Sequence, residues 1–165
     1  MVEETDRLLS DASWLAEQAG KRVGLDFLHA VIAGELPPAP LASSLGIRMT
    51  EADPGRVVFE FEPAERHYNP IGSLHGGVFA TLLDSAAGCA VHSMLPAGVG
   101  YTSLDLTVKF LRAITETTGP VRAIGTVRHL GRRTALAEAE LRDQDGKLYA
   151  TAVSSVLILR PEGSR

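Results

Sequence analysis

The apolar segment at residues 78–95 is the feature that most constrains how this chain can fold. It follows Gly76-Gly77 and ends before Pro96-Ala97-Gly98, which are the boundaries expected of one long helix. A helix that is apolar nearly all round is buried, and a sheet wrapped around it would bury it. At about 100° per residue, its few small or polar positions fall on one narrow stripe: Gly77, Thr81, Asp84, Ser85, Gly88 and His92. We expect this stripe to face a partner subunit, a ligand or both.

The rest of the chain is predicted to form a helical arm and then strands. Apolar residues recur at helical spacing over the first 34 residues, and Pro37-Pro38-Ala39-Pro40 ends that pattern. We therefore divide the chain into an N-terminal helical arm at 1–40 and a main domain at 41–162. Alternation of apolar and polar residues predicts strands near 46–53, 57–62, 103–110, 120–130, 133–142 and 147–159. Short turns at 53–55, 131 and 143–146 make the last strands antiparallel neighbours.

Length and composition limit the function classes. The chain has 165 residues, which suits one ordinary domain, and its single Cys cannot form an intrachain disulfide. A net charge of −4 argues against a protein that coats nucleic acid or an anionic membrane. Its apolar stretches are too short to span a bilayer, and its acidic start does not resemble a signal peptide. We expect a cytoplasmic protein with neither nucleic acid nor membrane as partner.

The strongest chemical signal lies between Asn69 and Asp84. The Gly76-Gly77 pair opens the predicted helix, whose first N–H groups lack intrahelical partners and suit a polarised carbonyl oxygen. Asp84 lies about two turns further on, and we expect it to be buried. A buried, unpaired carboxylate is costly, so its presence calls for a functional reason. Walker A, GxSxG, HExxH and CxxC motifs do not occur.

The spacing of these residues resembles a known family. The run is His67-x-Asn69-x-x-Gly72-x-x-His75-Gly76-Gly77-x-x-x-x-Leu82-x-Asp84-x-Ala86-x-Gly88-x-Ala90, followed later by Thr102-Ser103-Leu104-Asp105-Leu106, Phe110-Leu111-Arg112 and Gly131-Arg132-Arg133. It is similar to the phenylacetate-degradation-type acyl-CoA thioesterases of the 4-hydroxybenzoyl-CoA thioesterase-like superfamily. The resemblance implies an α+β hotdog fold, in which a curved antiparallel sheet wraps one long central helix. It also implies a homodimer with one continuous sheet, or a dimer of such dimers.

The resemblance further implies hydrolysis of an acyl-CoA thioester without a metal or organic cofactor. Carried over by position, the Gly76 N–H binds the carbonyl oxygen, Asn69 holds the reacting groups, and Asp84 attacks the carbonyl or activates water. Ser103, or its neighbour Thr102, positions that water, and His75 orients the loop. We expect further contacts to the CoA thioester from four residues: Gly77, Thr102, Arg132 and Arg133.

Three alternatives stay open at this point. The domain could bind acyl-CoA without turnover, although pure binding has no need for a carboxylate at this position. It could be a hotdog dehydratase, although the interval from His75-Gly76-Gly77 to Asp84 is typical of the thioesterases. It could also be a metal-dependent hydrolase that uses His67, His75, Asp84 and His92, although their spacing matches no metal signature.

The helix length favours a site shared between two chains. Gly76 and Asp84 are eight residues apart, which is about 12 Å along a helix axis. A donor and a carboxylate that act on one carbonyl must each come within about 3 Å of the reacting group. Two antiparallel helices related by a twofold axis would bring each helix N-terminus beside the Asp84 of the other chain.

Overall fold

The computed structural model describes residues 13–161, which form a seven-stranded antiparallel sheet packed against one long helix. The helices are α1 (13–21), α2 (Gly24–Ile32), α3 (Pro40–Leu45) and α4 (Gly76–His92). The strands are β1 (Arg48–Asp53), β2 (Arg56–Phe61), β3 (Gly100–Ser103), β4 (Thr107–Phe110), β5 (Val121–Leu130), β6 (Thr134–Asp143) and β7 (Leu148–Leu159). None of the helices within 13–161 has the length and apolarity needed to cross a membrane.

The sheet has the strand order β1-β2-β5-β6-β7-β3, and β4 also pairs with β7. The predicted hairpin turns are confirmed between β1 and β2, between β5 and β6, and between β6 and β7. Gly146, in the last of these turns, has a φ of 80°, a backbone conformation that favours glycine. Because β3 and β4 pair with successive parts of β7, together they form one interrupted edge of the sheet.

The predicted strand at 103–110 is wrong in its middle, since the chain leaves the ladder between β3 and β4. There the Asp105 carboxylate accepts the Ser155 N–H at 2.9 Å, and the Asp105 carbonyl accepts the Ser154 hydroxyl at 2.8 Å. A side chain thus takes over a bond that a backbone carbonyl would accept in a regular strand, as Asp residues commonly do. The apolar-polar alternation continues through this break and therefore hides it.

Helix α4 is the core element that the sequence predicts. Leu82, Leu83, Ala86 and Ala87 are fully buried, so the helix is covered by the sheet over its apolar circumference. The helix and the sheet approach each other closely at Gly125 of β5, where an added Cβ atom would lie 2.0 Å from the Ala86 carbonyl oxygen. Strand and helix backbones can meet this closely because that position carries no side chain.

The arm differs from the predicted single helix, whose first twelve residues lie outside the described part of the chain. The helix breaks between α1 and α2, where the Gly24 N–H donates to the Leu95 carbonyl at 2.9 Å. A Cβ atom at Gly24 would lie 1.8 Å from the His92 carbonyl oxygen, so the glycine lets α2 contact the end of α4. Leu28 of α2, 1% exposed, belongs to the main core. Pro40 opens α3, which the sequence analysis missed, because proline also suits the first helical position.

Candidate active site

Asp84 is paired with the residue that the sequence analysis assigned to water positioning. The Ser103 hydroxyl, at the end of β3, donates to Asp84 Oδ1 at 2.8 Å. Asp84 Oδ2 accepts no hydrogen bond from any residue of 13–161. The expectation of a buried, unpaired carboxylate is wrong, because Asp84 is partly exposed on the polar stripe of α4 and is paired with the end of β3. The pair thus leaves one carboxylate oxygen accessible to a ligand.

Asn69 organises the loop that leads to α4. Its Oδ1 accepts the N–H groups of Ile71 at 3.1 Å and Ser73 at 3.3 Å, and its Nδ2 donates to Ser73 Oγ at 3.3 Å. The Asn69 N–H also donates to the Ser73 carbonyl at 2.8 Å. This pattern is a turn closed by an asparagine side chain. Asn69, which the resemblance places in the active site, therefore also stabilises its own loop.

His75 caps α4 and thereby decides which N–H groups at its start remain free. Its Nδ1 accepts the Gly77 N–H at 2.8 Å, so that donor is already satisfied. The Gly76 N–H has no acceptor within 13–161. The His75 N–H donates to the His67 carbonyl at 2.9 Å, which ties the cap to the preceding loop. Gly76 therefore carries the available donor, as expected, while a Gly77 contact to substrate could not use its N–H.

Two residues beside Gly76 were not assigned to the site from the sequence. Phe110 is 57% exposed, and a Cβ atom on Gly76 would lie 3.4 Å from its ring. The Phe110 ring meets Phe79 edge to face at 5.4 Å between centroids. Arg112, whose Nη1 donates to the Leu148 carbonyl at 2.6 Å, lines the same 340 Å³ pocket as Asn69 and Gly76. Both belong to the run Phe110-Leu111-Arg112, which fits the family pattern but to which no role in the site was assigned.

The predicted site residues fall into two separate groups within one chain. Asn69 and Gly76 line the pocket beside Phe110. Asp84 and Ser103 line a different pocket of 390 Å³, and the two pockets share no lining residue. This separation agrees with the distance of about 12 Å that eight residues span along a helix. A carbonyl bound at one group would not reach the other group of the same chain.

The remaining predicted contacts lie at the surface. Thr102 is exposed on β3, next to Ser103. Arg132 and Arg133 are exposed in the β5–β6 turn, and neither side chain forms an ion pair within 13–161. The turn is bonded to the end of β7, because the Ile158 N–H donates to the Arg133 carbonyl at 2.9 Å. The end of β7 also pairs with the start of β3. The two arginines and the start of β3 therefore lie at the same end of the sheet.

The histidines of the metal-dependent alternative lie in different surroundings. The buried His67 accepts the Ala64 N–H at Nδ1 over 3.1 Å, whereas His75 is the exposed cap. His92 is buried under α2. Burial lowers the pKa of both His67 and His92 below the usual histidine range. Within residues 13–161, no group of three or more His, Cys, Asp and Glu could hold a metal ion.

Comparison with known proteins identifies the family. The thioesterase superfamily matches residues 71–150. A protein of Saccharolobus solfataricus that carries only the provisional name of an esterase is 31% identical over 70% of this chain and 81% of its own length. The 1,4-dihydroxy-2-naphthoyl-CoA hydrolase of Listeria monocytogenes is 27% identical over 72% of this chain and 94% of its own length. The structure of the Escherichia coli PaaI protein from the phenylacetic acid degradation operon superimposes with a TM-score of 0.69 and 27% identity, covering 82% of this chain and 94% of PaaI. The chain is therefore a hotdog-fold thioester hydrolase that belongs to the thioesterase superfamily.

Proposed function

We propose that this protein hydrolyses acyl-CoA thioesters and that Asp84 is the carboxylate that carries the reaction. The observation behind this assignment is the Asp84–Ser103 pair, which leaves Asp84 Oδ2 without a hydrogen-bond donor from residues 13–161 on an open face of α4. The Listeria relative is named for hydrolysis of a CoA thioester, which supports this substrate class.

The Gly76 N–H would supply the second part of the chemistry. It opens a helix of 17 residues, where unpaired N–H groups carry partial positive charge. A thioester carbonyl oxygen bound there gains stabilisation as it becomes negative during attack. The new C–O bond forms to water or to Asp84, the C–S bond breaks, and the CoA thiolate leaves and takes up a proton. With Asp84 as general base, water supplies the new oxygen directly; with Asp84 as nucleophile, water cleaves an acyl–Asp84 anhydride in a second step.

We further propose that each complete site combines the Gly76 end of one chain with the Asp84 of its partner. Two features support the shared site: the separate pockets around Gly76 and Asp84, and the exposure of Gly77, Thr81 and Asp84 on one side of α4. In an antiparallel pair of α4 helices, the small side chains of this stripe allow close approach. The sheet edge formed by β3 and β4 would lie beside that of the partner.

The test is a panel of acyl-CoA esters with detection of the released thiol, run on the wild type, Asp84→Ala and Asp84→Asn. We expect turnover in the wild type and a loss of kcat by at least about 100-fold in both variants, because an amide is neither a base nor a nucleophile. Circular dichroism and thermal melting should show that both variants remain folded. Wild-type turnover in Asp84→Ala would overturn the assignment.

A further inference from the structure

A chamber of 310 Å³ lies between the arm and α4, beside the Asp84–Ser103 pair. On the arm side it is walled by apolar residues of α1, α2 and α3, among them Leu15, Phe27 and Leu41. Helix α4 supplies Asp84, Ser85, Cys89 and His92 to the opposite wall, where they follow the helical repeat along one side. The chamber therefore extends from the reactive carboxylate toward the C-terminal end of α4.

His92 is the unexplained residue of this chamber. Its side chain is only 8% exposed, and neither ring nitrogen has a hydrogen-bond partner within 13–161. Its neighbours are aromatic, with the Phe27 ring at 5.5 Å and the Tyr101 ring at 5.4 Å between centroids. Burial lowers its pKa, so at neutral pH the ring is uncharged, with one donor and one acceptor nitrogen. Neither His92 nitrogen is among the fully buried side-chain atoms that lack a partner, so the polar edge of the ring stays accessible from the chamber, where a ligand can hydrogen-bond to it.

Distance and volume limit what that ligand can be. His92 lies eight residues beyond Asp84, which is about 12 Å along the helix axis. The chamber is about twice the size of a ~150 Å³ protein cavity that accommodates a benzene ring. An extended chain of about eight carbons, or a ring on a short tether, matches both measures.

We infer that the chamber holds the acyl group of the substrate, and that this group carries a hydroxyl at its far end that hydrogen-bonds to the His92 ring. This inference rests on the proposed function, since it takes Asp84 as the reactive end of the chamber. The arm becomes the outer wall of the acyl site, held through the bond from Gly24 to Leu95 in the segment that follows α4. The apolar walls accept the hydrocarbon part, and His92 selects for the polar end.

The test compares two substrates that differ by one hydroxyl, octanoyl-CoA and 8-hydroxyoctanoyl-CoA. We expect the wild type to prefer the hydroxylated ester in kcat/KM by about 10-fold, because one hydrogen bond contributes about 1 kcal/mol and only the hydroxylated ester can form it with His92. His92→Phe should bring the ratio close to one, and His92→Gln, which keeps a donor and an acceptor, should retain part of the preference. His129→Phe, a change at an exposed histidine of β5, is the matched control and should keep the wild-type ratio.

Thioether analogues of the same two esters, which cannot be hydrolysed, separate this inference from the proposed function. We expect the dissociation constants, measured by calorimetry, to show the same preference. A wild-type ratio near one in both turnover and binding would overturn the role of His92, whether or not the variants fold and even if hydrolysis depends on Asp84. A preference in binding without turnover of any acyl-CoA would support the chamber and instead overturn the proposed function.

Discussion

The Ser103 hydroxyl donates to Asp84 Oδ1 at 2.8 Å and so connects the end of β3 to the third turn of α4. A hydrogen bond to a carboxylate is among the stronger ones in proteins, and it fixes the plane of the acid. Side chains on a strand alternate between its faces, so Thr102 lies on the other face from Ser103. Of the two residues that the sequence left open, the geometry favours Ser103 as the partner of Asp84.

Ser103→Ala is expected to reduce kcat by about 10- to 100-fold with little change in KM, because hydrogen bonds to charged groups contribute about 1.5–3 kcal/mol. Ser103→Thr, which keeps the hydroxyl, should recover much of the loss. Thr102→Val is the matched control and should remain near wild type. Steady-state hydrolysis with thiol detection provides the measurement, and equal effects at both positions would contradict the assignment of Ser103.

The fold could be predicted well because its signals are local. The apolar repeat of α4, the alternation in the strands and the turn residues at 143–146 each report on a few neighbouring residues. The break at Asp105 could not be predicted, since it depends on hydrogen bonds to β7, about 50 residues later in the chain. The same applies to the division of the arm, which follows from contact between α2 and the end of α4.

The site could be predicted only in part. The motif spacing selected Asp84 and Ser103, which the fold brings within hydrogen-bond distance. The polar stripe was expected to face a partner or a ligand, and Asp84 on that stripe is indeed partly exposed; the expectation of burial came from treating the apolar helix as enclosed on every side. The position of Phe110 beside Gly76 joins residues 34 positions apart, and no local pattern indicates it.

Gly125→Ala should destabilise the protein by about 3 kcal/mol or more, because the new methyl group meets the α4 backbone, which cannot move aside as a flexible side chain could. Denaturant unfolding followed by circular dichroism measures the free energy of unfolding. Gly20→Ala is the matched control: it lies in α1 with no atom near the added methyl group, and alanine favours helix by up to about 1 kcal/mol. Equal stabilities for the two variants would contradict the close contact at Gly125.

His92 should make stability fall as the solution becomes acidic. Its pKa in the folded protein lies below the unfolded value of 6.5, so between these two values the unfolded chain binds a proton that the folded chain does not. The free energy of unfolding should therefore decrease as pH falls below about 6.5, by up to about 1.4 kcal/mol per pH unit for one proton. Its titratable neighbours Cys89 and Tyr101 stay neutral in this range, because burial raises the pKa of both.

The comparison for this pH effect is His92→Phe, measured by denaturant unfolding between pH 7.5 and 5. It should show a flatter dependence than the wild type. A slope of the same sign should remain, because burial also lowers the pKa of His67. Identical slopes in wild type and variant would mean that His92 does not titrate differently on folding.

Arg132 and Arg133 are expected to bind phosphate groups of CoA, since guanidinium geometry suits phosphate and neither side chain has an acidic partner within residues 13–161. Replacing both with Gln should raise KM several-fold and weaken its dependence on salt, with kcat little changed. The double variant Lys21→Gln and Arg48→Gln removes the same charge from residues already paired with glutamates. If both double variants change KM and its salt dependence equally, the effect comes from the net charge of the protein and not from the positions of Arg132 and Arg133.

The shared site predicts that two inactive variants restore each other's activity. Asn69→Ala damages the Gly76 end of a site and Asp84→Ala removes its carboxylate, and the two groups line separate pockets within a chain. After the two variants are refolded as an equal mixture, half of the dimers are mixed, and each mixed dimer has both lesions in one site and none in the other. Thiol release should therefore recover to about a quarter of the wild-type rate, for independent sites in a twofold dimer. Refolding each variant alone is the control and should give no recovery. If mass spectrometry detects the mixed dimers and activity stays absent, each site draws both residues from one chain.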